Sequence, residues 1–319
     1  MCYSAQIRAD YRDYVRLFGA HLAIKEFVQL FYARLETGLK VPKAMEAAFE
    51  HDVAGPEGEE IKRLIEAFKA ERTMALEQDL FEQRKRLADA ERTLQTKQTK
   101  TALNSQRIAT SNISKTKLGL EDLRRTELLN RDSRIFPGVY APVMVMREGR
   151  KVVLPMRYQC RPVGRLASYD NDFPGTYNAR RDNLEKFWRG HFGVSHGILL
   201  VDAFYENVKR HDMEHRELAP GEKPENVVLE FKPEPRQHML VACLWSHWTG
   251  AGQPELLSFA AITDEPPPEV AAAGHDRCII PIKPEHVDAW LNPDPKNLQA
   301  MYAILDDREP AYYEHRLAA

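Results

Sequence analysis

Ile198-Leu199-Leu200-Val201-Asp202-Ala203-Phe204-Tyr205-Glu206 is an apolar run that ends in a carboxylate. Branched and aromatic side chains dominate it, and it is far too short to cross a bilayer, so it reads as a buried strand. Runs of similar texture lie on both sides, at residues 139–146, 152–158, 227–231, 239–245, 256–263 and 279–282. Turn residues separate them and helical patterns are few. Residues 284–291 read as a helix opened by Pro284, and residues 298–305 as a peripheral helix before a mobile tail. This spacing predicts an α+β fold built on a curved, mainly antiparallel β-sheet with a barrel-like core.

Toward the amino terminus the texture is helical. Tyr14, Leu17, Phe18, Leu22, Phe27, Val28, Phe31 and Leu35 step by three and four, predicting one amphipathic helix over residues 11–35 with Gly38 as its stop. Pro42 opens a shorter helix that ends at residue 49 or 50. Residues 59–96 contain neither Pro nor Gly, interleave acids with bases, and carry Leu80, Leu87 and Leu94 at seven-residue spacing. A long solvated helix with a narrow apolar seam follows, and such a seam needs a partner helix. Periodicity fades across the Thr/Ser/Asn/Lys-rich residues 95–117, and Leu118, Leu120, Leu123 and Leu128 predict the returning helix. The expected organisation is a core of residues 1–10 plus 135–319, with residues 11–134 inserted as an α-helical hairpin or bundle, a coiled-coil-like arm. Residues 97–125 hold seven Lys or Arg against two acids, so a nucleic-acid-contacting arm stands beside the plain solvated one.

At 319 residues and 43% hydrophobic content the chain can bury a substantial core. A formal charge of −2 argues against wholesale coating of nucleic acid and against a polybasic membrane anchor, but leaves room for a local basic groove. Cys2, Cys160, Cys243 and Cys278 do not resemble a secreted disulfide framework, and the residues after Gln6 are charged rather than apolar. A cytoplasmic protein with no membrane partner is the expectation. His211, Asp212 and His215, and likewise His191 and His196, have metal-like spacing without a coherent ligand set; no metal and no cofactor is expected.

The chain begins Met1-Cys2-Tyr3-Ser4. A small residue after Met favours Met removal, which would expose Cys2 with an α-amine and a thiol on adjacent carbons. These groups titrate near ~8 and ~8.5, so both are partly nucleophilic at neutral pH. An aldehyde meeting the pair is taken by the amine as an imine and closed by sulfur into a five-membered thiazolidine. Three stretches in the β-rich part add polar groups at strand ends: Tyr177 to Asp182, Val201 to Glu206, and Gly274 to Cys278.

In chain order, Cys2 after Met1, Asn178-Ala179-Arg180, Asp202-Ala203-Phe204-Tyr205-Glu206 and His275-Asp276-Arg277 resemble the SOS response-associated peptidase (SRAP) family. The resemblance covers residues 1–6 and about 139–292, and residues 11–134 have no counterpart in it. It implies a β-rich α+β fold and a protein that binds single-stranded DNA with abasic sites and joins the ring-opened sugar as a thiazolidine. By the same resemblance, Cys2 is the nucleophile, Asn178 holds the N-terminus, Glu206 is the general acid/base, and His275 is the second proton-transfer group. Arg180 and Arg277 resemble phosphate contacts, and Arg157 with Tyr158 are candidate DNA contacts. The chain departs from the family pattern at Tyr3 and Ser4, in place of Gly and Arg, and at Tyr158 and Asn207, where Trp is usual. Val201 and Ala203 replace Ala and Gly, and Cys278 replaces Met.

Three readings follow. The first is an abasic-site cross-linking protein, cytoplasmic and on the nucleoid when bound to DNA. The second is a thiol peptidase acting through Cys2 on itself or on a peptide. The third is a binding module that recruits a protein partner through residues 11–134.

Overall fold

A computed structural model describes residues 3–50, 55–308 and 311–318. Cys2, the expected nucleophile, lies outside the described residues. The strands in chain order are β1 (Ser4–Ile7), β2 (His21–Leu22), β3 (Arg134–Ile135), β4 (Tyr140–Arg147), β5 (Arg150–Tyr158), β6 (Asn178–Arg180), β7 (His196–Lys209), β8 (Asn226–Glu234), β9 (Met239–Gly250), β10 (Gln253–Asp264), β11 (Cys278–Ile279), β12 (Pro281–Ile282) and β13 (Tyr312–Leu317). Because β7 pairs with β9 as well as with β4, the strands β9, β10, β5, β4 and β7 close into a five-stranded barrel within the larger sheet. Pairing round the ring is antiparallel except between β10 and β5. The α+β, barrel-like architecture expected from the sequence is present.

Strand β7 organises this ring. From His196 to Val201 it pairs with β9, and from Phe204 to Lys209 with β8, so it leaves the barrel between Val201 and Phe204. Nearly all its residues up to Glu206 are buried, whichever face they point to. A strand covered on both faces has no polar side to alternate with, so its sequence reads as a continuous apolar run. At Gly197 a Cβ would lie 2.9 Å from Val143 Cγ1, so the absence of a side chain lets β4 approach β7 closely.

The chain divides into two compact units. One holds the described residues within 1–30, 39–52 and 129–319, the other those within 31–38 and 53–128. Residues 11–35 do not form one helix. Helix α1 (Tyr11–Phe18) stops at Gly19, whose φ of +63° suits a residue without Cβ, and His21–Leu22 then pair with β5 before α2 (Ile24–Thr37) begins. Helix α3 (Lys43–Glu50) follows Pro42 as expected, and its Phe49 packs on Tyr11 and Phe27. These helical segments within 11–50, expected in the insertion, thus belong largely to the barrel's unit. The tail is not loose. Tyr312–Leu317 pairs along β8 as β13, with Tyr313 edge-on to Phe204.

The second unit contains the long helix α4 (Pro56–Thr96) and its partner α5 (Lys100–Arg124). Helix α5 begins at Lys100, well before the Leu-rich stretch, with Thr99 capping the N–H of Ala102. Of its buried residues Ala102, Ala109, Thr116 and Leu120, the first three recur every seven positions, a seam of small side chains that a search for large apolar residues misses. Polar contacts reinforce it: Thr116 donates to Asp79 at 2.6 Å and Arg86 to Ser105 at 2.9 Å.

Candidate active site

Glu206 lies where β7 has just left the barrel, opposite Leu229 of β8. On the other side of β7, β1 starts with Ser4 opposite Tyr205. The strand position beside Glu206 therefore falls at the first residues of the chain. The carboxyl group is fully buried, and its Oε2 lies 3.0 Å from Nε2 of His275, itself 7% exposed at the side chain.

His275 is delivered by a turn that only glycine makes easily. Gly274 before it has φ +91°, and a Cβ there would meet Asp212 Cβ at 3.0 Å. The turn follows the short helix Pro268–Ala272 and precedes β11. The other ring nitrogen, Nδ1, lies 2.9 Å from the carbonyl oxygen of Arg277. The Arg277 N–H also reaches Nδ1, at 3.3 Å, so this nitrogen is held by the Arg277 backbone through both its carbonyl and its N–H. Burial holds the imidazole below its ordinary pKa, with the Arg277 carbonyl working weakly the other way. Burial thus favours the neutral imidazole in its contact with Glu206. A buried acid and imidazole that hold a proton between them are equipped to move it to a third group.

Asn178 comes from the far side of the same mouth. Strand β6 pairs in parallel with β10, with Asn178 opposite Ala261. The residue is 5% exposed, yet neither its amide nitrogen nor its oxygen has a hydrogen-bond partner among the described residues. A buried carboxamide left unpaired costs free energy, about 1–3 kcal/mol, unless another group completes it. Its neighbour Tyr177 packs edge-on against Tyr3, ring centroids 6.0 Å apart. Tyr3 thus sits next to the Asn178 side, while Ser4 lies opposite Tyr205, the neighbour of Glu206 in β7.

The expected DNA contacts separate into two groups. Arg180 is half-exposed and bidentate to Asp182 at 3.0 and 2.6 Å. Arg180, and more weakly Arg277, holds the Asp182 carboxyl below the usual carboxylate range, so both guanidiniums are near one acid beside the site. Arg157 and Tyr158 are elsewhere. Tyr158 is buried, stacked on Phe259 at 5.2 Å and edge-on to Tyr177, so it supports the aromatic floor instead of offering an exposed platform. Arg157 is closed on Asp170 at 2.7 Å, and Arg161 grips the same carboxylate. Tyr158 is thus engaged by rings and Arg157 by Asp170, both within the protein.

Two further polar residues belong to the picture and carried no sequence signal. Thr263, opposite Arg180 in β6 and Ile279 in β11, is fully buried with its hydroxyl unpartnered among the described residues. Arg134 of β3 donates from Nε and Nη2 to the Ser4 hydroxyl at 3.1 and 2.9 Å. The described thiols are all buried, which disfavours their thiolate forms. Burial pushes Cys160 up to about 12, and burial plus the nearby Glu206 charge pushes Cys278 well above the ordinary value.

Comparisons with known proteins bear on the fold and its family. No curated protein matches the chain. Among solved structures, it is similar to a protein from Bordetella bronchiseptica at 15% identity and TM-score 0.46, covering 61% of this chain and 90% of that one. A protein from Bacteroides thetaiotaomicron matches at 13% identity and TM-score 0.45, covering 59% of this chain and 78% of that one. A phage-related protein from Bordetella bronchiseptica matches at 20% identity and TM-score 0.42, covering 58% of this chain and 81% of that one. The family description "SOS response associated peptidase (SRAP)" matches residues 91–316, a span that begins late in α4 and does not reach the amino-terminal stretch. Since that span holds the whole barrel together with Asn178, Glu206 and His275, and takes in more than two thirds of the sequence, the chain belongs to the SRAP family.

Proposed function

We propose that this SRAP protein is a DNA-damage protein that traps abasic sites in single-stranded DNA as a thiazolidine on Cys2. The observation that carries the reading is the buried contact between Glu206 and His275 at 3.0 Å, beside the point where β1 begins. Cys2 is two residue steps from Ser4, about 7 Å at full extension, which supports the reading that its amine and thiol serve this pair. Asn178 supports the reading as a buried amide with donor and acceptor both available.

Hydrolysis of the Met1–Cys2 bond first frees the α-amine. The abasic sugar is mostly a closed hemiacetal, and its opening needs a proton removed from the anomeric hydroxyl and one delivered to the ring oxygen. Glu206 takes the first and His275 relays the second, work for which a positioned acid/base contributes roughly 10²–10⁴-fold. The neutral amine then adds to the aldehyde carbon, and water leaves to give the imine. The thiol adds across C=N: the S–C bond forms, the thiol proton ends on nitrogen, and no oxidant or reductant is consumed. Asn178 holds the amine by hydrogen bonds, while Arg180 and Arg277 meet backbone phosphates. On this reading the protein works in the cytoplasm and on the nucleoid when bound.

The test is incubation with a single-stranded oligonucleotide carrying one abasic site, read by denaturing gel and intact mass. A heat-stable adduct is expected, absent in Cys2→Ala and formed about 10²-fold more slowly in Glu206→Gln. An adduct that survives Cys2→Ala, or no adduct from protein whose mass shows Met1 removed, overturns the proposal. The second reading, a thiol peptidase, is favoured by the family's description. It would show as release of Met1 by the purified protein and turnover of added peptides.

A further inference from the structure

On the Ser4–Tyr205 face of β1 and β7 stands a partly desolvated guanidinium. Arg134 lies 3.8 Å over the ring of Tyr205 and 4.9 Å from that of Phe136, and two of its nitrogens donate to the Ser4 hydroxyl. Among the described residues, no carboxylate is within ion-pair distance of it. The acid that most affects it, Glu230, is already engaged by Tyr205, Lys232 and Arg316. Partial burial works against the charge, with Tyr205 and Glu230 offsetting only part of that effect. A half-desolvated cation completed by a hydroxyl and two ring faces has its position fixed and its countercharge missing. Stacking also orients the planar fork, so the N–H groups not used on Ser4 point in set directions, the arrangement that recognises phosphate.

We propose that Arg134 is the docking point for a phosphodiester next to the reacting sugar, so that a residue from β3 fixes the DNA strand relative to the start of β1. This rests on the reading of abasic single-stranded DNA as substrate. The alternative is a strut whose work ends at Ser4 and Tyr205.

The experiment uses the full chain and a fluorescent single-stranded oligonucleotide with a tetrahydrofuran abasic analogue, which has no aldehyde and reports binding alone. Arg134→Met keeps the packing and removes the charge; Arg134→Lys keeps the charge and loses the fork. Arg216→Gln, taken from an exposed Arg already paired with Glu214 and Glu222, is the control. Arg134→Met is expected to weaken binding about tenfold and lower the slope of log affinity against log salt by about 0.7, with Arg134→Lys restoring the slope and Arg216→Gln leaving it unchanged. Methylphosphonates are then placed singly at the two phosphates flanking the analogue. One of them should cost the wild type about as much as Arg134→Met does, and cost Arg134→Met nothing more. A wild-type slope in Arg134→Met, no measurable binding by the wild type, or losses that simply multiply at both phosphates would overturn the proposal. A natural abasic oligonucleotide run in parallel separates the two ideas. Loss of the phosphate coupling with the adduct intact removes Arg134 alone, and phosphate coupling without an adduct removes the cross-linking reading alone.

Discussion

Arg161 and Arg134 each lie over an aromatic ring, at 4.4 Å above Trp248 and 3.8 Å above Tyr205, yet they are completed in opposite ways. Arg161 closes on Asp170, which also takes Arg157, and Trp248 donates to the Arg165 carbonyl. Burial alone would push the Asp170 carboxyl up, but the hydrogen bonds from Arg161 and Arg157 outweigh it and leave the group below its ordinary range. Arg134 finds a hydroxyl where Arg161 finds a carboxylate. The first region meets its charges internally, although Nε of Arg157 has no partner among the described residues. The second has no carboxylate in ion-pair contact among the described residues, so an anionic ligand has something to add there.

Removing the shared carboxylate should break the first region most. Asp170→Asn leaves two part-buried guanidiniums without their acid and is expected to lower stability by about 2–3 kcal/mol in denaturant melts, with cross-linking retained below the melting range. An unaltered melt would mean that the two arginines are solvated independently. Acid should erase the same difference. Because the folded pKa of Asp170 is depressed, its contribution is present above the unfolded value near ~4 and is lost as pH falls through the folded one. Melting temperatures of wild type and Asp170→Asn should therefore converge below about pH 4, and a gap that stays constant there would refute the assignment. The smallest change makes the two regions alike. Ser4→Asp gives Arg134 an internal acid, which should alter stability by less than about 1 kcal/mol and still weaken DNA binding about tenfold, with Ser4→Asn as the uncharged control. Equal binding by all three proteins would show that Arg134 was never waiting for a phosphate.

What the sequence reveals follows how local each cause is. The barrel strands are legible because burial on both faces writes a long apolar run, as in Ile198 to Phe204. Strands β1 and β13 are not, since Ser4–Ile7 is short and Tyr312–Leu317 carries Glu314, His315 and Arg316. Their pairing is dictated by β7 and β8, not by their own pattern. The start of α5 is hidden for a related reason: Ser, Thr and Asn are weak helix formers, and packing on α4 overrides that preference. Glu206, His275 and Asn178 stand in recognisable short motifs, and the fold brings Glu206 and His275 into contact. Thr263 and Arg134 stand in none. Their significance lies in an unmet hydroxyl and an unmet charge, which are properties of a neighbourhood that exists only after folding.

The small-residue seam of the helical unit has a consequence of its own. Ala102, Ala109 and Thr116 face α4 at intervals of seven, close to two helical turns, so each interval is a self-contained rung. Removing seven residues from α4 and seven from α5, on either side of the connection at 97–99, takes out one rung and leaves those above and below facing their former partners. A piece about 60 Å long can therefore change its length in whole rungs of roughly 10 Å. The barrel permits no such edit, because a residue lost from any strand of a closed ring shifts the register of the next.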